Sequence, residues 1–287
     1  MMLFNKPVTD IIRQRKSIRS YLDKPVEEDK KEALSKFLSA NTVGPFGTKS
    51  RFDFITATSQ DRESLKGLIT YGMIKNPMGF IIGAVENEPH DLEDFGYLME
   101  KNILMATALG LGTCWLGGTY NSSGFSRKIA LKDNETIPAV TAVGYAVQRL
   151  SAIDSLIRVS AGANKRKPWS ALFFQSNKSL STAEAGCYAT PLEMLRLAPS
   201  ASNFQPWRVI KAVHADTYHF YLRRTPVVKQ IMAAKADLQR VDIGIAMCHF
   251  ALAAEEESLK GMWQVNDPHL KGIADKMDYI VTWVGSK

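Results

Sequence analysis

Apolar residues recur at three- and four-residue spacing in two long windows, Asp94 to Trp115 (DFGYLMEKNILMATALGLGTCW) and Asp242 to Trp263 (DIGIAMCHFALAAEEESLKGMW). That spacing gives a helix one apolar face, so both windows predict long helices with a glycine near the C-terminal end. Shorter helices are predicted from Pro7 to about Arg15 and from Glu27 to about Leu38. In the second of these Glu27, Glu28 and Asp29 occupy the first turn, where the helix dipole favours negative charge. Thr190-Pro191-Leu192-Glu193 reads as a capping box with proline at the first helical position, and this helix is expected to end at Pro199. Strand candidates are the β-branched and aromatic runs Phe52 to Ala57, Gly79 to Val85 and Val140 to Gly144. Arg208 to Val213 and Tyr218 to Leu222 form a further pair, joined as a hairpin through His214-Ala215-Asp216. No regular βαβ rhythm runs through the chain. The pattern predicts a sheet covered by helices in α+β style.

The two long windows also resemble each other. An offset of 242 − 94 = 148 pairs Asp94 with Asp242, Gly96 with Gly244, Met99 with Met247, Leu104 with Leu252, Ala106 with Ala254, Leu111 with Leu259 and Trp115 with Trp263, without a gap. Farther on, Val140-Thr141-Ala142-Val143-Gly144 recurs as Val281-Thr282-Trp283-Val284-Gly285. Any two amphipathic helices share some residues, but two matched elements in one order point to tandem duplication. The expected organisation is a first half over residues 1–170, a polar connection over 171–185 and a shorter second half over 186–287. The second half has no opening helix of its own.

The chain has 287 residues, 45% of them hydrophobic and 23% charged, which fits one large unit or two modest ones with a full core. This composition argues against a disordered, collagen-like or coiled-coil chain. No apolar run is long enough to span a bilayer, and residues 1–16 are too polar for a signal peptide. The expectation is a soluble, cytoplasmic protein. Formal charge is 36 − 29 = +7, compatible with nucleic acid, an anionic membrane or a phosphorylated small molecule. The basic residues are dispersed apart from short clusters such as Arg13 to Arg19 and Lys165 to Lys167, which favours the small anionic ligand over nucleic acid. Cys114, Cys187 and Cys248 are far apart, so neither a disulfide framework nor a zinc site is expected. The five histidines show no ligand spacing; His214 and His219 read as hairpin surface. No metal is expected.

Two segments carry candidate chemistry. Arg15-Lys16-Ser17-Ile18-Arg19 places three cations and a hydroxyl on backbone leaving a helix. It is either a phosphate wrap, since guanidinium forks match phosphate oxygens, or a solvated basic turn. Ala198-Pro199-Ser200-Ala201-Ser202-Asn203-Phe204-Gln205-Pro206-Trp207 gathers small hydroxyl and amide residues before a strand. Such a loop can present donors and acceptors to the edge of a flat polar ring, with Trp207 itself suited to the core.

Together these two motifs resemble the FMN-dependent nitroreductase family, whose members begin with an R-[RH]-S-x-[RK] turn and carry a P-S-x-x-N-x-Q-P-W loop. Trp115-Leu116-Gly117-Gly118 and Lys165-Arg166-Lys167-Pro168 fall where that family has its flavin-N5 turn and second phosphate clamp. More closely, the chain resembles the branch in which two protomers are fused as a pseudo-dimer. The resemblance implies two pseudo-symmetric halves, each a small, largely antiparallel sheet flanked by helices, with FMN in the crevice between them. It implies Arg15 and Ser17 on the phosphate with Arg166 and Lys167, Lys16 lining the same arm, and Arg19 near N1 and O2 of the flavin. Gly117 or Gly118 would face N5, although Gly-Gly replaces the frequent Glu-Gly. The second half would supply Pro199, Ser200, Ala201 and Asn203 to the ring and ribityl chain, with Gln205 behind.

The complementary site looks lost, because Ser39 to Gly47 lacks the P-S-x-x-N-x-Q-P-W order and the second half has no R-x-S-x-R turn. The resemblance therefore implies one flavin per chain and a single chain acting as a pseudo-dimer. The implied activity moves two electrons from NADH or NADPH, by ping-pong hydride transfer, to a nitroaromatic or quinone, with no catalytic side-chain nucleophile. Cys114 is expected to be packing only. Trp115, Tyr71 and Phe46 either border the substrate space or belong to the core. The alternatives are a non-catalytic or flavin-processing FMN-binding protein of the same fold, and a basic nucleic-acid-binding protein.

Overall fold

The computed structural model describes residues 4–56, 74–118, 122–147, 165–225, 236–272 and 274–286. The elements are α1 (Val8–Gln14), α2 (Glu28–Ala40), β1 (Ser50–Thr56), β2 (Gly79–Glu86), α3 (Asp91–Ala108), β3 (Gly112–Leu116), α4 (Ser122–Lys128), β4 (Glu135–Thr136) and β5 (Val140–Gly144). They continue with β6 (Phe173–Gln175), β7 (Lys178–Ser179), α5 (Thr182–Ala185), α6 (Ala189–Arg196), β8 (Trp207–Lys211), β9 (Thr217–Leu222), α7 (Leu238–Glu256), β10 (Lys260–Gln264) and β11 (Asp278–Ser286). The α+β expectation holds: two sheets, each largely antiparallel, lie against helices.

The sheets share one plan. The first runs β1-β2-β5-β3 and the second β8-β9-β11-β10, every neighbouring pair antiparallel. β3 spans residues 112–116 and β10 residues 260–264, again 148 apart. These strands occupy the ends of the two windows read as continuous helix. The helices stop earlier because Gly110 and Ser258 turn left-handed, at φ of 80° and 60°. The later sequence match is displaced by one residue. Val140 faces Leu116 while Thr282 faces Gln264, so the strand pairing equates Val140 with Thr282 rather than Val281. β11 also carries a bulge between Tyr279 and Val281, just before the matched run.

Two further readings are corrected. The segment taken as a plain connection carries the hairpin β6–β7, and β6 runs parallel to β8, so it extends the second sheet. The capping box lies not at Thr190 but at Ser181, whose side chain accepts from the Glu184 N–H while Glu184 accepts from the Ser181 N–H. A tight turn over Gly186–Tyr188 leads straight into α6, so Thr190 sits inside the helix rather than ahead of it. The same helix ends at Arg196, short of Pro199.

Between the sheets, α3 and α7 cross at two glycines. A Cβ on Gly96 would meet the Val241 carbonyl oxygen at 2.2 Å, and one on Gly244 would meet the Glu93 carbonyl oxygen at 2.0 Å. Val241 follows Glu93 by 148 residues, so each helix offers the same glycine to the same position of the other. Arg240 adds a forked pair to the buried Glu93, at 2.8 and 2.6 Å. One hydrophobic core runs across the crossing, joining Leu34, Phe95 and Ile103 to Trp207, Phe220 and Phe250. Helix α1 packs on both halves through Ile11 and Ile12 against Leu104, Met194 and Leu252. Its free N-terminal N–H groups at Val8 and Thr9 are accepted by Glu256, at the far end of α7.

Candidate functional site

The chain leaves α1 at Arg15 and runs along the outer edge of β3, where the Ile18 N–H donates to the Thr113 carbonyl at 2.8 Å and Ser17 bridges Thr113. This edge fixes the spacing of the basic turn. Arg15 is buried, Ser17 and Arg19 half-buried, and Lys16 exposed. Buried nitrogens on two of these arginines, Arg15 Nε and Arg19 Nη1, have no hydrogen-bond partner.

Arg15 Nε lies 3.6 Å from Oε1 of Glu100, a fully buried carboxylate of α3. The other oxygen of Glu100 accepts from Trp115 Nε1 at 2.8 Å, and Oε1 meets His249 Nε2 of α7 at 2.9 Å. His249 Nδ1 lies 2.9 Å from the Met194 carbonyl and donates to it, since a carbonyl only accepts. The contact between Nε2 and Oε1 then requires a second proton, held by the imidazole or by the carboxyl. One carboxylate thus ties the end of α1, strand β3 and helix α7 together. Sequence reasoning missed Glu100 and His249; nothing in their spacing sets them apart from other helix residues.

The loop from Pro199 to Pro206 approaches from the second half. Ser202, Asn203 and Gln205 have left-handed φ of 50°, 56° and 48°. Asparagine tolerates that region, whereas serine and glutamine reach it at a cost on the order of 1 kcal/mol each. The loop is held in shape by side chains. Ser200 Oγ accepts from the Gln205 N–H at 2.9 Å, and Asp242 Oδ1 accepts from the Ala201 N–H at 2.9 Å. Asp242 is the partner of Asp94 in the repeated windows, and Asp94 does the same for the first half, accepting from the N–H groups of Phe46 and Thr48 at 3.0 and 2.9 Å. Burial pushes both carboxyls up, Asp242 well above its usual range and Asp94 to about 6. The repeat pointed to these two aspartates before any role could be given them.

The basic segment 165–167 is fastened to this loop. Asn203 Oδ1 accepts from Arg166 Nη1 at 3.1 Å, Asn203 Nδ2 donates to the Lys165 carbonyl at 2.9 Å, and Gln205 Oε1 accepts from the Lys167 N–H at 2.7 Å. Gln205 is buried. Burial, then the positive charges of Arg15 and Arg196, hold the Arg166 guanidinium down at about 10. Arg15 and Arg166 therefore lie near enough for their charges to interact. Lys167 is not brought to them: its Nζ turns to the Phe204 carbonyl at 2.7 Å and to a different set of cations, Arg208 and Arg223.

Gly117 and Gly118 follow β3, and a Cβ on Gly117 would meet Leu238 Cδ1 at 2.6 Å, so this turn abuts the start of α7. Trp115 and Phe46 are half-buried. Phe46 stacks on His90 at 4.5 Å. Tyr71 lies outside the described residues. Cys114 is buried in β3, as expected of packing. His219, read as hairpin surface, is interior: it faces Thr282 Oγ1 at 2.8 Å, and burial lowers its pKa. Among the described residues no cluster of metal-ligating side chains occurs, and no helix is long and apolar enough to cross a membrane.

This fold has counterparts. A protein from Thermotoga maritima, described as a "putative nitroreductase", superposes with a TM-score of 0.61 over 97% of this chain and 94% of its own, at 18% identity, and so shares the fold. A protein of Archaeoglobus fulgidus named "Putative NADH dehydrogenase/NAD(P)H nitroreductase" is 25% identical over 173 residues, 55% of this chain and 97% of that protein. One of the same name from Methanothermobacter thermautotrophicus is 31% identical over 118 residues, 38% of this chain and 60% of the relative. The profile of the family described as "Putative TM nitroreductase" matches residues 7–254, and across that span the chain belongs to this nitroreductase family.

Proposed function

We propose that the chain is an FMN-dependent oxidoreductase that carries two electrons from NADH or NADPH to a small electrophilic acceptor such as a nitroaromatic or a quinone. The observation that carries this reading is the pair Arg15 and Arg166: Arg15 leaves α1 with a buried Nε that has no hydrogen-bond partner, Arg166 is fastened to the Pro199–Pro206 loop through Asn203, and the positive charge of Arg15 reaches Arg166. A phosphate between them would relieve the mutual repulsion, and Arg15 Nε is a buried donor with no hydrogen-bond partner. Arg19 Nη1 is another such donor, and in this reading it serves the polar edge of the ring. These residues fit FMN, which when bound supplies hydride acceptance and donation at N5.

The chain's own groups bind and orient. Arg15 and Arg166 hold the phosphate, with Ser17 and Lys16 along the same arm. Arg19 places a fixed positive charge where negative charge develops on the ring, the arrangement that favours the reduced form electrostatically. Pro199, Ser200, Ala201 and Asn203 border the ring and ribityl chain, and Gly117 and Gly118 offer backbone N–H groups from the opposite half. Donor and acceptor occupy one stacking place in turn, which gives ping-pong kinetics.

The same reading takes the chain as an internal duplication, with units 1–170 and 186–287 and the 171–185 hairpin between, working as a monomeric pseudo-dimer. It is supported by the shared strand order, the offset of 148 and the reciprocal glycines. The decisive experiment measures flavin bound to purified protein, then NADH and NADPH oxidation with a nitroaromatic or quinone present. Flavin-dependent turnover is expected; colourless protein that gains no activity on adding FMN would end the proposal.

A further inference from the structure

We propose that Lys167, Arg208 and Arg223 form a second anion site, separate from the Arg15–Arg166 pair, whose ligand is a phosphate dianion. Lys167 Nζ and Arg208 Nη1 both donate to the Gln205 carbonyl oxygen, at 3.3 and 3.0 Å. Lys167 Nζ also donates to the Phe204 carbonyl at 2.7 Å, and Arg208 Nη1 to that of Trp207 at 2.5 Å. Arg223 joins them because its N–H donates to the Pro206 carbonyl at 2.9 Å, which sets it beside the same turn with its side chain exposed.

Carbonyl oxygens satisfy donors but do not neutralise charge. Among the described residues no carboxylate lies within 4.0 Å of any of the three cations, whereas nearby Arg196 and Arg224 are paired to Glu193 and to Asp237 and Asp278. Arg208 is only 5% exposed, and its Nε has no hydrogen-bond partner. Burial, then the charges of Arg208 and Arg223, hold Lys167 down at about 8; burial, then Arg223, hold Arg208 at about 10. An anion would lift both. A carboxylate would leave the cluster at net +2, while a phosphate dianion offsets two charges and offers oxygens to an ammonium and a guanidinium at once. The exposed Arg223 marks the open side, so the ligand enters from solvent.

The ligand is either free phosphate or a phosphomonoester carried on a nucleotide, and the site does not depend on flavin binding elsewhere. Calorimetric titration with inorganic phosphate tests it, using the purified chain with FMN added in excess so that a flavin phosphate site is filled. Expected is saturable binding, weakened about tenfold or more in Arg223→Gln and Lys167→Gln and unchanged in Arg15→Ala. Arg223→Gln alters an exposed side chain, so its circular dichroism should match the parent. Adenosine 2′-monophosphate is the second titrant. Affinity well above that of inorganic phosphate identifies a nucleotide-borne group, and equal affinity identifies the free ion. Absence of binding up to about 10 mM of either probe overturns the site, as does parental affinity in Arg223→Gln.

Discussion

Arg15 leans on a carboxylate that Trp115 and His249 also use, so its position is set from three directions before any ligand arrives. Arg15→Ala is expected to weaken FMN retention about tenfold to a hundredfold, read by fluorescence titration, and to lower the urea midpoint as well, because the buried Glu100 loses its cation. The folded carboxyl of Asp94, raised by burial to about 6 from 3.8, holds its proton more tightly than the unfolded side chain does. Stability from this group is complete below about pH 4 and is lost as the pH rises to about 6. Urea unfolding of Asp94→Asn should lack roughly 2 kcal/mol of the parental decline over that interval. Some of this was legible in the sequence: the arginine turn and the Pro-Ser loop announce anion and ring chemistry by residue type. Glu100 and His249 were not, because a buried polar residue in an apolar helix declares its partner only once α3 and α7 are laid across each other.

At the scale of elements, the apolar period located α1, α2, α3, α7 and most strands, and it failed where the period changes inside one window. The last third of each long window keeps apolar residues at plausible helical places, so only the left-handed residues at Gly110 and Ser258 reveal the switch to strand. β10 carries Lys260 and Gln264 and is mostly exposed, which hides it from any hydrophobic pattern. The crossing of α3 and α7 was legible only as a repeated letter. Gly244→Ala would set a methyl against the Glu93 carbonyl and force the helices apart, with an expected loss of about 1–3 kcal/mol in denaturant unfolding. Gly96→Ala should match it within error, since it meets the corresponding position of the other helix. A clear difference between the two would show that the crossing is not reciprocal.

For the whole molecule, the largest core cluster draws on residues from both ends of the chain, and helix α1 packs on both, so much of the apolar surface of each part is covered by the other. Residues 1–170 and 186–287 expressed apart should each lack cooperative unfolding, while the intact chain loses both sheets in one transition, followed by far-ultraviolet dichroism and tryptophan fluorescence together. Flavin titration should saturate near one per chain, because only one pairing of turn and loop keeps both motifs. A ratio near two would refute that asymmetry. The likeness of the two long windows could be seen from the sequence, yet the register along β11 could not, since the strand pairing lies one residue away from the sequence match.

The crossing glycines differ from those at the axis of a true homodimer in one respect. There, any codon change strikes both faces of the contact simultaneously, so a tolerable fault is doubled into an intolerable one. Here Gly96 and Gly244 are inherited independently, and either helix can be altered while its mate stays as it was. A single chain with such a crossing can reshape a loop or tilt a helix on one flank alone, a freedom closed to a symmetric pair.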